Sequence, residues 1–414
     1  MLLKHSKLIP NQTVQICGSK SVSNRLIILN ALFQNVKMEN LSDSKDTQVL
    51  IDAIQSEHQT IDIGHAGTAM RFLTSYYAIQ QDEVKILTGS ERMKQRPVGP
   101  LVEALRELGA DIEYMEKEGY PPLKITGRKI QKSKVRIASD ISSQYITSLM
   151  LIGAKLINGI RIELEGEITS KPYLLLTKRL LKNIGIEIQI SDRIIDINHL
   201  KLEEKLSNTT YVAVESDWSS ASYFYSLAAI ARQPIKLRSF KSHSYQGDSA
   251  LKKYYWEFFG VNTVTDTQET LISLLPELTH YPEAITADLN DSPDIAQTLC
   301  VTAAILKIPF YFTGLKTLKI KETDRLLALQ KELKKIGCIV KVTDESIETL
   351  EYGAPDSKIE IETYDDHRMA MCFAPYLLQG DLKIIDPMVV EKSYPEFWND
   401  LKHITKHLKT NNIE

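Results

Sequence analysis

Two carboxylates, and cations that recur where strands give way to helices, are the residues of this chain best suited to chemistry. Lys321-Glu322-Thr323-Asp324-Arg325 sets four charged groups among five consecutive polar residues. They stand between the strand-like stretch Thr317–Ile320 and a helix over Leu326–Ile336. Asp291-Ser292-Pro293-Asp294 opens a second helix, Ile295–Leu306, where Asp294 also reads as a first-turn residue. Asp365-Asp366-His367-Arg368 precedes the apolar run Met369–Leu378. Cations at a helix start oppose the helix dipole, a misfit that a bound anion would relieve. Lys392 lies in E-K-S-Y-P-E-F-W, near the last helix. Asp294 and Glu322 are then available for proton transfer.

The first half repeats the theme. In Val14–Arg25, Val14 and Ile16 alternate as a half-buried strand does, and Gly18 breaks the pattern. Ser21 or Ser23 then supplies the N-cap of an apolar helix, Arg25–Phe33. Lys20 and Ser21 thus sit where free backbone N–H groups favour an anion. Gly64–Arg71, after the strand Thr60–Ile63, reads as an anion cradle or as a turn capped by Thr68; it is neither a Walker nor a dinucleotide motif. Arg92, Lys94 and Arg96 crowd a loop after the strand Val84–Leu87. Ser139–Tyr145 and Thr169–Tyr173 cluster hydroxyl, amide and aromatic groups that suit a phosphorylated or polyhydroxylated ligand, or serve as caps and turns. The cations Lys20, Arg25, Arg71, Arg96, Lys321, Arg325, Arg368 and Lys392 come from both halves of a chain whose net charge is −3. That concentration points to a heavily anionic substrate pair bound between domains.

The elements that must position these groups form a repeat. An amphipathic helix, a glycine and a short strand recur at Leu101–Tyr114, Leu176–Ile190, Leu251–Val264 and Leu327–Val342, with a weaker copy lacking the glycine at Val49–Ile63. Each glycine stands where the chain turns left-handed before re-entering a sheet. At 414 residues two domains are expected, and the pattern makes them pseudo-symmetric α/β halves. The boundary falls near Glu215–Ser220, ahead of the apolar helix Ala221–Ala231, and Gly18–Ser21 is a second crossing.

Composition excludes several classes. Hydrophobic content of 43% and charged content of 25% describe a globular protein without a general basic surface for nucleic acid or membrane. The N-terminus reads as neither a signal nor a transit peptide, and no apolar run spans a bilayer. Cys17, Cys300, Cys338 and Cys372 match no metal spacing or disulfide framework, which fits a reducing cytoplasm.

Six segments carry a resemblance. G-S-K-S-x-S-N-R at Gly18–Arg25, G-x-A-G-T-A-M-R at Gly64–Arg71 and R-M-x-x-R-P at Arg92–Pro97 are followed by S-S-Q at Ser142–Gln144. K-E-T-D-R-L at Lys321–Leu326 and D-H-R-M-A-M at Asp366–Met371 complete the set. In this order they resemble the 5-enolpyruvylshikimate-3-phosphate synthase family.

The resemblance implies an α/β fold of two pseudo-symmetric domains, each of three β-α-β-α-β-β units. Such a fold is an inside-out α/β barrel with its active site in the interdomain cleft. It implies a discontinuous domain, 1–17 plus 217–414, carrying Asp294, Glu322, Arg325, Arg368 and Lys392. The other domain, 18–216, would carry Ser21, Arg25, Arg96, Ser142, Ser143, Gln144 and Ser170. The implied reaction moves the enolpyruvyl group of phosphoenolpyruvate to the 5-hydroxyl of shikimate 3-phosphate, releasing phosphate through a tetrahedral intermediate. It belongs to chorismate and aromatic amino-acid biosynthesis. No metal or organic cofactor is implied, and the expected state is a cytoplasmic monomer.

Carried over by residue, Lys20, Gly67, Arg96, Gln144, Arg325, Arg368 and Lys392 match phosphoenolpyruvate positions. Lys20, Ser21, Arg25, Ser142, Ser143, Gln144, Ser170, Tyr173, Asp294 and Lys321 match shikimate-phosphate positions. Asp294 would take the 5-hydroxyl proton and Glu322 would serve the methylene carbon, with Lys20 and Lys392 beside them as catalytic groups. His65 replaces a frequent Asn, Phe72 a common Pro, and Thr317 an Asn of some members. The sister activity on UDP-N-acetylglucosamine would want a cysteine where Glu91 stands. A non-catalytic anion-binding relative would need the cations but not both carboxylates. A nucleic-acid end-processing enzyme would want a more basic surface.

Overall fold

The structure is a computed structural model that describes residues 1–34, 36–140, 142–199, 209–268, 271–277 and 281–408. The chain forms two compact units: Met1–Cys17 with Glu215–Glu414, and Gly18–Val214.

Among the described residues one sheet plan appears four times. In the Gly18–Val214 unit, Thr60–Asp62 lies parallel to Val84–Thr88, which is antiparallel to Leu123–Thr126, itself antiparallel to Asp111–Tyr114. Lys134–Ala138, Ile160–Glu165, Ile194–Ile197 and Ile188–Ser191 repeat that order and polarity. The other unit has Gln12–Val14, Ile235–Arg238, Leu271–Pro276 and Val261–Thr265, then Ile285–Asp288, Phe310–Thr313, Ile347–Tyr352 and Cys338–Val342. In chain order each copy reads β-α-β-α-β-β, because a parallel pair needs a crossover and a helix supplies it. The copy that begins at Gln12–Val14 is split, since the whole of Gly18–Val214 enters between its first two strands.

Smaller sheets complete each unit. Val36–Glu39 pairs with Thr210–Ala213 in one. Leu2–Leu3 with Leu382–Ile384 and Glu360–Ile361, and Ser6–Leu8 with Thr405–His407, belong to the other. Among the described residues every sheet is open, so the expected barrel is no closed ring of strands.

Helices occupy the middle of each unit. Trp218–Ala231 and Ala296–Ile305 are apolar on nearly every side, and Lys20–Phe33 buries ten of its fourteen residues. A helix without a polar face must lie inside. Lys20–Phe33, Gly67–Ala78 and Ser143–Gly153 pack on one another in one unit, and Ala296–Ile305 touches both Trp218–Ala231 and His367–Phe373 in the other. The sheets lie outside them. Along Ile160–Glu165 the residues Ile160, Ile162 and Leu164 face inward, while Arg161 and Glu163 form ion pairs with Asp196 and Arg136. Among the described residues no helix is long and apolar enough to cross a membrane.

Several local expectations need correction. The first helix begins at Lys20 with Ser19 as N-cap, so neither Ser21 nor Ser23 caps it. The Ser23 hydroxyl instead accepts from the Ser42 backbone N–H at 2.9 Å. The strand there ends at Val14, because the Ile16 carbonyl accepts from the Ser216 hydroxyl at 2.6 Å rather than from a neighbouring strand. Ala66, not Thr68, is the N-cap of Gly67–Ala78. The loop after Val84–Thr88 contains a one-turn helix, Glu91–Lys94, capped by Ser90. Thr317–Ile320 lies in a 3-10 helix, Lys316–Ile320, since four residues are too few for alternation to separate strand from turn. Asp294 lies in a 3-10 turn, Pro293–Ile295, and the α-helix runs from Ala296 to Ile305.

The recurring glycines take positive φ: Gly109 at 108°, Gly185 at 87°, Gly260 at 66° and Gly337 at 83°. A Cβ on Gly185 would meet nothing within 4 Å, whereas one on Gly337 would stand 2.6 Å from the Gly353 carbonyl oxygen. Gly185→Ala should therefore cost only the conformational strain of about 1–2 kcal/mol. Gly337→Ala should cost clearly more, through the added backbone clash. Urea unfolding midpoints of the two variants check this, and equal losses would mean that the clash relaxes.

Candidate active site

In the unit formed by Met1–Cys17 and Glu215–Glu414, the side chains gather around Arg325, the first residue of helix Arg325–Lys335. Its guanidinium is 3% exposed and meets three carboxylates. Nε donates to Asp366 Oδ2 at 2.6 Å, Nη1 to Asp294 Oδ1 at 3.0 Å, and Nη2 to Glu322 Oε2 at 2.9 Å, with a longer bond to Asp366 Oδ1 at 3.4 Å. Burial by itself lowers the pKa of Arg325, but Asp366, Glu322 and Asp294 outweigh it and raise the value. A guanidinium has five N–H donors, so these four bonds leave one N–H on Nη1.

Each carboxylate has further partners. Asp294 lies 3.3 Å from Lys321 Nζ and 3.4 Å from Arg368 Nη2, and its backbone carbonyl accepts from Arg368 Nη1 at 2.8 Å. Burial pushes the Asp294 carboxyl up, yet Arg368, Lys321 and Arg325 together hold it well below its ordinary value. Glu322 pairs with Lys392 Nζ at 3.1 Å. Asp366, fully buried, caps the helix His367–Phe373 by accepting from the Arg368 backbone N–H at 2.9 Å. The cations at that helix start thus have a compensating carboxylate in the chain's own Asp366. Sequence reading took Asp366 as part of a motif and missed its role, although its place directly before His367-Arg368 was the signal.

The Gly18–Val214 unit is charged differently. Lys20 donates to Asp46 at 3.0 Å. Arg25 is 3% exposed and donates to the Thr177 hydroxyl at 2.9 Å, the Ser21 carbonyl at 2.7 Å and the Thr147 hydroxyl at 3.4 Å. The rings of Phe72 and Tyr173 flank it at 5.6 and 5.7 Å. None of these partners is a carboxylate, and burial lowers its pKa to about 10. Phe72 is therefore one wall around the Arg25 guanidinium.

Arg96 is also buried, and its Nε has no partner among the described residues. Its guanidinium lies on Gly67, where an ideal Cβ would come within 2.6 Å of Nη1, so a side chain there would displace it. The Pro97 carbonyl beside it accepts from Arg71 Nη2 at 2.9 Å and from the Tyr145 hydroxyl at 2.6 Å. Arg71 thus braces the Arg96 segment, and also donates to the Gly67 carbonyl at 3.1 Å. Arg92 and Lys94 sit on the one-turn helix, where Lys94 pairs with Glu91 and Glu116.

The remaining expected residues stand at helix starts of this unit. Ser142 caps Ser143–Gly153, and Gln144 Nε2 donates to the Thr68 hydroxyl at 3.3 Å. Ser170, with φ of 53°, precedes Lys171–Asn183, the helix that carries Tyr173 and Thr177. Lys20, Gly67, Ser143 and Lys171 thus begin helices linked by the Arg25 and Gln144 contacts. Free N–H groups, with two guanidiniums that meet no carboxylate among the described residues, are groups that favour an anion. Asp46, Thr147 and Thr177 were not legible from the sequence, since they lie on other helices than the cations they meet. Among the described residues, no group of three or more His, Cys, Asp or Glu could hold a metal ion.

Asp366→Ala should cost the larger unit about 3–5 kcal/mol in denaturant unfolding, because it strands a buried guanidinium. A loss under about 1 kcal/mol would mean that Asp294 and Glu322 hold Arg325 unaided. The depressed Asp294 pKa contributes stability that is present above its unfolded value near 4 and lost as pH falls toward the folded one. Acid unfolding of Asp294→Asn should therefore depend less on pH below about 4 than that of the unaltered chain.

A family model described as EPSP synthase (3-phosphoshikimate 1-carboxyvinyltransferase) matches residues 51–401. A 3-phosphoshikimate 1-carboxyvinyltransferase of Bacteroides fragilis strain YCH46 is 45% identical over 396 residues, covering 94% of each chain. One from Haemophilus influenzae strain Rd is 34% identical over 429 residues, covering 95% of this chain and 96% of its own. Among solved structures, an EPSP synthase from Acinetobacter baumannii superposes with a TM-score of 0.72 at 21% identity, covering 98% of both chains. An enolpyruvyl transferase from Streptomyces tendae gives 0.73 at 14%, also covering 98% of both. With these likenesses spanning nearly its whole length, the chain belongs to the EPSP synthase family.

Proposed function

We propose that this chain transfers the enolpyruvyl group of phosphoenolpyruvate to the 5-hydroxyl of shikimate 3-phosphate, releasing phosphate, in aromatic amino-acid biosynthesis. Family membership supports the activity. The observation that carries the chemistry is the placement of Asp294 and Glu322 on different nitrogens of one guanidinium, Nη1 and Nη2 of Arg325. Such an arrangement sets two carboxyl groups at a fixed spacing, each beside its own cations.

In this reading Glu322 gives a proton to the methylene carbon of phosphoenolpyruvate, and C2 becomes oxocarbenium-like. Asp294, held as a carboxylate, takes the proton of the 5-hydroxyl as its oxygen bonds to C2. The tetrahedral adduct then loses a proton from its new methyl group to Glu322 while the C–O bond to phosphate breaks. The proton held by Asp294 passes to the departing phosphate, which restores both carboxyl groups to their starting state. Atoms and charge balance without a cofactor. Each proton transfer contributes roughly two to four orders of magnitude in rate.

The anions are shared out among the charged groups. Arg325, through its remaining Nη1 hydrogen, serves phosphoenolpyruvate together with Arg368, Lys392, Lys20, Gly67, Arg96 and Gln144. Ser21, Arg25, Ser142, Ser143, Ser170, Tyr173 and Lys321 serve shikimate 3-phosphate, and the buried Arg25, which has no carboxylate partner, suits its phosphate. The same reading makes the protein a cytoplasmic monomer. Three of its four cysteines are buried free thiols, which fits a reducing compartment.

Phosphate release from phosphoenolpyruvate should require shikimate 3-phosphate and should not occur with UDP-N-acetylglucosamine. Glu91, where the sister activity would want a cysteine, is exposed and pairs with Lys94. Release with the second acceptor alone would overturn the reading. Glu322→Gln should lower turnover by at least about a hundredfold. Its affinity for shikimate 3-phosphate should stay within about tenfold.

A further inference from the structure

Asp248 is a buried carboxylic acid, 3% exposed, that the proposed mechanism does not use. It lies in the 3-10 turn Gly247–Ala250. Its Oδ2 accepts a hydrogen bond from the Ser219 hydroxyl, and its Oδ1 has no partner among the described residues. The Ser219 oxygen in turn accepts from Arg368 Nη2 at 3.2 Å. A hydroxyl that donates to Asp248 must point its lone pairs elsewhere, and one of them meets Arg368.

The turn is fixed by a second polar cluster. Glu215 accepts from Trp218 Nε1 at 2.7 Å, the Lys241 backbone N–H at 3.0 Å and the Ser244 hydroxyl at 2.6 Å. Gln246 accepts from the Trp218 backbone N–H at 3.1 Å and donates to the Ser216 carbonyl at 2.8 Å. The segment that carries Asp248 is thereby fastened to the start of the helix that carries Ser219. The relay Arg368–Ser219–Asp248 is therefore built from both ends.

We infer that Asp248 is a positioning residue for Arg368: through Ser219 it fixes the edge of the guanidinium that receives the phosphoenolpyruvate anion. This rests on the assignment of Arg368 to that substrate. The charged groups around Asp248 are Asp294, Arg368 and Asp217. Burial pushes its carboxyl up to about 7, Asp294 and Asp217 add to the rise, and Arg368 and Ser219 oppose it. An anion arriving at Arg368 raises it further, so binding takes up a proton. Affinity for phosphoenolpyruvate then falls as pH rises through about 7.

The test compares Asp248→Ala and Asp248→Asn with the unaltered enzyme, from pH 6 to 8.5. The Ala variant should raise KM for phosphoenolpyruvate by about fivefold or more, with KM for shikimate 3-phosphate nearly unchanged. The Asn variant keeps an oxygen for Ser219 and should restore KM at pH 6.5. It should also flatten the rise of KM above pH 7, beyond what the titration of the substrate's own phosphate produces in both proteins. Unchanged KM and pH profile in both variants would overturn the inference. So would equal losses for both substrates without rescue by Asn.

Melting temperatures without substrate give a readout independent of activity. Ionising the buried carboxyl costs the folded state more as pH climbs from about 4 to 7. Asp248→Asn should therefore melt at least about 2 °C higher than the unaltered chain at pH 8, with the gap narrowing toward pH 5. Absence of that gap would overturn the inference about Asp248. A gap present while phosphoenolpyruvate shifts the melting of no variant would overturn the assignment of Arg368 instead, and the inference with it.

Discussion

A single buried guanidinium governs one half of this molecule. Arg325 cannot be left without carboxylates in the interior, and Asp294, Glu322 and Asp366 cannot be left there without it. Such a cluster adds little net stability, because desolvation offsets most of the attraction. What it does fix is geometry. Four charge-assisted bonds to one planar group set the directions of three carboxyl groups that come from separate segments of the chain. Asp366 meets the Nε side of Arg325 and also caps the helix bearing Arg368 through that residue's backbone N–H, so one carboxylate ties the guanidinium to a helix start.

The other half solves the opposite problem. Arg25 and Arg96 are buried beside hydroxyls, carbonyls and aromatic rings, with no carboxylate among the described residues to compensate them. The desolvation cost of those guanidiniums is built into the folded state and would be relieved by a bound anion. An anion would therefore gain more there than at a pre-neutralised arginine. The contrast is one of charge: one unit pairs its buried arginine with three carboxylates, and the other sets its buried arginines among neutral groups.

The inside-out packing explains why these groups can be buried at all. Apolar helices such as Trp218–Ala231 and Ala296–Ile305 fill the core, and amphipathic sheets face water. Helix starts with their free N–H groups then become interior features, and the motif residues lie on them. Departures from the family pattern fall within this frame. Phe72 places an aromatic ring against Arg25, and His65, at the neighbouring turn, lies 3.0 Å from the Ser90 hydroxyl.

The sequence alone determined the α/β class, the helix-glycine-strand repeat, the crossing near Gly18 and the identity of most charged groups. These follow from local physics: apolar periodicity, glycine where φ must be positive, and charge at strand-to-helix junctions. Tertiary structure decided which charges meet. Asp46 on Lys20, Thr147 and Thr177 on Arg25, and Asp248 behind Ser219 pair residues 26 or more positions apart, on different elements. No local signal encodes such pairings, because they depend on the packing of helices whose own sequences specify only that they be buried. For the same reason Arg71, which sequence reading grouped with the anion-binding cations, proves to be a brace. Its motif is local, but its partner Pro97 lies 26 residues away.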